Sequence, residues 1–80
     1  QQQAQDTTGN LIIFYDAQIG SAPLLKAVKT SGATLVYEYK NLNGIAIRPP
    51  SKTNIEDAIA YFKKVNGVFS VEQDRLLKLQ

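Results

Sequence analysis

Five consecutive apolar residues, Leu11-Ile12-Ile13-Phe14-Tyr15, follow a polar run and end at Asp16, with Gly20 soon after. A run of this length fits a central strand covered on at least one face. Ser21-Ala22-Pro23 then offers an N-cap and a proline in the first turn. Leu24, Leu25, Ala27 and Val28 recur at helical spacing until Gly32, which predicts a helix over 22–31. Residues 33–39 alternate, with Leu35, Tyr37 and Tyr39 on one face and Thr34, Val36 and Glu38 on the other, the period of a second strand. Asn41-Leu42-Asn43-Gly44 tolerates positive φ and turns the chain into a short strand, 45–48, which Pro49-Pro50 ends by removing backbone donors. Asn54 and Asp57 form a capping-box-like start. Ile55, Ala58, Ile59, Phe62 and Val65 share a helical face, Lys63 and Lys64 suit the negative end of the dipole, and Gly67 suits a C-terminal cap, so a second helix is expected over 55–66. The apolar stretch from Val68 to Val71 opens a buried fourth strand, 68–74.

The order β-α-β-β-α-β predicts an α+β domain of ferredoxin-like type. Four antiparallel strands form one sheet with both helices on one face, and right-handed crossovers put the first and third strands in the centre. The domain is expected to span 10–74, preceded by a disordered polar tail over 1–9 and followed by an extended tail over 75–80.

Composition narrows the function more than it names it. Eighty residues make one small domain close to the size at which a hydrophobic core suffices without disulfides or metal, so stability is expected to be marginal. A net charge of +2 implies neither nucleic acid nor an anionic membrane as partner. With no His and no Cys, the chain lacks the groups for a Ser-His-Asp or Cys-His nucleophile and for the usual zinc sites, so neither catalysis nor a metal or other cofactor is expected. The acids Asp6, Asp16, Glu38, Glu56, Asp57, Glu72 and Asp74 fall mostly where helix caps or solvated faces account for them. No stretch is long and apolar enough to span a bilayer. The opening QQQAQDTTGN resembles the start of a mature chain after removal of a secretory signal, which makes a secreted protein the expectation; an arbitrary chain boundary is the alternative.

A ferredoxin-like fold hosts many activities, and the site must choose among them. An RNA-recognition motif stacks bases on aromatics of its central strands, and residues 44–48 carry none. A heavy-metal domain needs a cysteine pair. Two stretches instead resemble the propeptides of subtilisin-like serine proteases and the stand-alone inhibitors built on the same fold. Tyr37-Glu38-Tyr39-Lys40-Asn41-Leu42-Asn43-Gly44-Ile45-Ala46-Ile47 is similar to that family's hairpin, in which aromatics precede an Asn-Gly-hydrophobic-Ala pattern. Gly67-Val68-Phe69-Ser70-Val71-Glu72-Gln73-Asp74 resembles its Gly-Val motif with two acids spaced by one residue.

The resemblance implies a non-catalytic inhibitor of a subtilisin-like protease, monomeric when free, which doubles as an intramolecular folding chaperone if it is a propeptide. In that family the outer face of the sheet docks on two helices of the protease and the tail enters the substrate cleft. Glu72 and Asp74 lie on one side of an extended chain and would meet N–H donors at helix N-termini. Family register puts Gln80 just before the scissile bond, Leu79 in the next pocket back, Lys78 outward and Leu77 in the apolar pocket four residues from the cut, with Leu76 part of the same extended segment. Leu79 departs from the smaller residue common in the family. The alternative is a non-inhibitory interaction or dimerisation module of a larger secreted protein.

Overall fold

The computed structural model describes residues 7–75. Four strands, β1 (Thr7–Tyr15), β2 (Thr34–Tyr39), β3 (Gly44–Arg48) and β4 (Val68–Arg75), form one antiparallel sheet in the order β2-β3-β1-β4. The helices α1 (Ala22–Ser31) and α2 (Ile55–Lys63) occupy the two crossovers. This is the expected ferredoxin-like α+β arrangement, with the first and third strands central. One cluster of buried side chains joins the layers: Leu11, Ile13, Ile45, Ile47 and Val71 from the sheet, Leu24 and Val28 from α1, and Ala58 and Phe62 from α2. Both helices therefore cover the same face.

The helix ends show which local signals act. Asn54 caps α2 as its position predicts, its side-chain oxygen accepting the Asp57 N–H at 2.8 Å. Ser21 does not cap α1: its backbone is helical (φ −91°, ψ −7°) and its hydroxyl makes no capping bond, leaving the start to Pro23, whose fixed φ suits the first turn. At the other end Gly32 takes φ 82° and closes α1 as expected. Helix α2 ends at Lys63, before residue 66, because Lys64 and Val65 donate to Tyr61 and Phe62, three residues back, at 3.3 and 3.1 Å. These bonds tighten the last turn. Gly67 (φ 90°) does not cap the helix; it turns the chain into β4.

Three irregularities in the sheet revise the expected strands. Strand β1 begins at Thr7, so residues 7–9 are not part of a disordered tail; Thr7 pairs with Arg75, and a register shift containing Gly9 at φ 85° separates that pair from Leu11↔Gln73. Glycine supplies the left-handed backbone that such a bulge requires. Arg75 accordingly belongs to β4 and not to the tail. In β2 the register shifts between Leu35↔Ile47 and Tyr37↔Ala46, making Val36 an extra residue. Directly paired residues share a face. Leu35 thus lies on the helix side with Ile47, and Tyr37 and Tyr39 lie on the opposite side, so the three do not share the face that simple alternation predicts. In β4 a third shift, between Phe14↔Ser70 and Tyr15↔Val68, leaves Phe69 unpaired and 73% exposed, so the stretch from Val68 to Val71 is not buried throughout.

Candidate functional site

The face of the sheet away from the helices is best read as rows running across the strands. One row is Tyr39–Gly44–Phe14–Ser70 and the next is Tyr37–Ala46–Ile12–Glu72, in the order β2, β3, β1, β4. A third begins with the pair Thr34↔Arg48 and continues to Asn10, whose side-chain oxygen accepts from Arg48 Nε at 3.3 Å. Alternation along β4 puts Asp74 on this same face, one step beyond Glu72.

The first two rows form an apolar surface that packs against itself. Phe14 lies over Gly44 so closely that a Cβ added there would meet the ring at 2.8 Å. Only glycine admits that contact. Ala46 is 3% exposed, although neither helix is on its side. It forms the floor between taller neighbours, Tyr37 on β2 and Ile12 on β1. The Tyr37 and Tyr39 rings meet at 4.8 Å with a 58° tilt, and Tyr37 remains 59% exposed. An open hollow of about 500 Å³ beside this pair is lined also by Glu38, Lys40, Asn41 and Leu42. The lining thus mixes two aromatic rings and a leucine with the charged side chains of Glu38 and Lys40.

Polarity rises toward β4 and toward the end of the sheet from which the chain continues past residue 75. Glu72 is exposed, and Asp74 is half-buried with interactions of its own. The structure thus brings the two expected acids onto one face and joins them to an apolar surface. Leu76, Leu77, Lys78, Leu79 and Gln80 lie outside the described residues. Sequence reasoning did not assign Ile12, Phe14, Tyr37, Tyr39 and Ala46 to one exposed surface with the acids, nor Asn10 and Arg48 to its polar end. Alternation marks Ile12 and Phe14 as one side of a strand, but only cross-strand register tells which side of another strand they join.

Among the described residues no three His, Cys, Asp or Glu side chains gather to hold a metal ion, and no helix is long and apolar enough to cross a membrane. No protein-family model, curated protein or solved structure compared with the chain matches it.

Proposed function

We propose that this domain binds and inhibits a subtilisin-like serine protease, with its helix-free sheet face as the docking surface and the segment after β4 as the part that enters the substrate cleft. The observation that carries the reading is the joint placement of Glu72 and Asp74 with the Tyr37–Ala46–Ile12 and Tyr39–Gly44–Phe14 rows on a face that no described helix covers. An apolar centre with an acidic border at one edge suits a partner that presents apolar side chains beside hydrogen-bond donors, such as the N-termini of surface helices. The acids then contribute charge-assisted hydrogen bonds and the rows contribute desolvated contact. Main-chain pairing along the cleft edge supplies the competition with substrate, and alternate side chains of the segment choose its pockets.

The family resemblance of the hairpin and of the Gly67–Asp74 stretch supports the same reading. The test is to titrate the domain into a subtilisin with a chromogenic peptide, with a trypsin-like and a cysteine protease as controls. Competitive inhibition of the subtilisin alone is expected. Absence of inhibition at micromolar concentration overturns the proposal. Removal of residues 77–80 is expected to abolish inhibition while leaving a weaker complex detectable by calorimetry, because the face still docks and nothing fills the cleft. A truncated domain that still blocks the small substrate would overturn the role given to the segment.

A further inference from the structure

Two Asn-Gly pairs occur in the chain, Asn43-Gly44 and Asn66-Gly67, and the fold treats them differently. An asparagine followed by glycine is prone to lose its amide, because the glycine nitrogen, with no side chain beside it, reaches the carboxamide carbon easily.

Gly44 is the first residue of β3 and pairs with Tyr39 on one side and Phe14 on the other, so its N–H belongs to the sheet ladder. Asn43 is half-buried at φ 55°, and its carbonyl accepts the Tyr15 N–H at 2.9 Å. Asn66 is exposed in the turn between α2 and β4. The Gly67 carbonyl accepts the Asp16 N–H at 2.7 Å, and a Cβ added at Gly67 would meet the Ile19 side chain at 2.8 Å. Among the described residues, however, no acceptor pairs with the Gly67 N–H, which is the reacting group.

We infer that Asn66 is a spontaneous modification site, converting through a succinimide to aspartate and isoaspartate, while the sheet protects Asn43. The Gly67 nitrogen gives its proton to a solvent base and forms a bond to Cγ of Asn66. The carboxamide C–N bond breaks, and the nitrogen leaves as ammonia with a proton from solvent. Water then opens the ring: attack at the former side-chain carbonyl leaves aspartate, and attack at the main-chain carbonyl leaves isoaspartate. No oxidant or reductant takes part. The net charge falls from +2 to +1. The isoaspartate product also lengthens the backbone by one methylene, in the turn where Val68 N–H donates to Val65 at 3.1 Å and Gly67 is tied to Asp16.

The experiment incubates the full chain at pH 8 and 37 °C and follows it by ion exchange and by tandem mass spectrometry. Synthetic peptides of residues 63–69 and 40–46 serve as unprotected clocks. Asn66 is expected to react within about tenfold of its peptide, and Asn43 about a hundredfold or more slower than its own, since reaction there waits for the sheet to open. In unfolding urea the two sites should converge. Equal protection of both sites in the folded chain, earlier reaction at Asn43, or a difference that persists in urea would each overturn the inference. Asn66→Gln should remove the early acidic species; its return at the same rate in that variant would also overturn it.

Discussion

The two faces of the sheet share one repertoire of side chains and differ in what covers them. On the helix side, Leu11, Ile13, Ile45 and Ile47 are sealed by Leu24, Val28, Ala58 and Phe62. On the other side, among the described residues, Ile12, Phe14, Tyr37 and Tyr39 pack within the sheet's own layer, over Gly44 and Ala46, and no described helix covers them. There the sheet alternates tall and small residues, so that Ala46 and Gly44 are buried by neighbours in the same layer. The first face is closed by tertiary structure. The second is closed only in part, and Tyr37 and Glu72 remain open to solvent, which is why substitutions on the two sides should affect different properties.

The largest effect belongs to the covered face. Phe62→Ala, at a side chain 1% exposed, should cost about 3–5 kcal/mol, comparable to the whole stability of a domain this small. Circular dichroism should find the free variant largely unfolded, and an inactivated protease at a hundred times its dissociation constant should return about 2.7 kcal/mol. Glu72→Ala comes next and should act on the other property: binding to the protease weakens by about 1.5–3 kcal/mol in calorimetry, while the urea midpoint hardly moves. Unfolding of the free Glu72 variant would erase the contrast between the faces. Tyr37→Ala should cost about 1–2 kcal/mol of binding and no more than about 0.5 kcal/mol of folding. At the small end, Asn54→Ala should lower stability by about 1 kcal/mol and Ser21→Ala by less than half that, because only the first side chain makes a capping bond. Equal thermal shifts for these two variants would contradict the difference in their caps.

The sequence made the layers legible and hid the second face. Periodicity revealed both helices and the helix-side core because those signals are local: Leu24 and Val28, or Ala58 and Phe62, lie one turn apart. The surface around Ala46 depends on Val36 being an extra residue. Nothing in the alternation of Leu35, Tyr37 and Tyr39 announces a bulge, since the shift exists only in the pairing with β3. Phe69 is similar, an aromatic inside an apolar run that a shift against β1 leaves in solvent. The early start of β1 was hidden for another reason. Thr7, Thr8 and Asn10 carry no apolar pattern, and Thr7 is a strand residue because Arg75 lies beside it. The two acids were legible as a spacing of two along an extended chain, but their apolar neighbours were not.

The place of β1 between β3 and β4 has a consequence for how the chain comes to be folded. The hairpin of β2 and β3 is local and can form while later residues are still being added, but β1 needs β4 as its second neighbour. Until residues 68–75 have left the ribosome, the strand carrying Leu11 and Ile13 has one edge without a permanent partner. Such pairing between distant segments is slow, because the chain entropy of closing a long loop is lost before any contact compensates it. The sheet of this domain is therefore completed only once its last strand has been synthesised, and until then the unpaired edge of β1 is the surface on which a chaperone, or a second nascent copy, would first take hold.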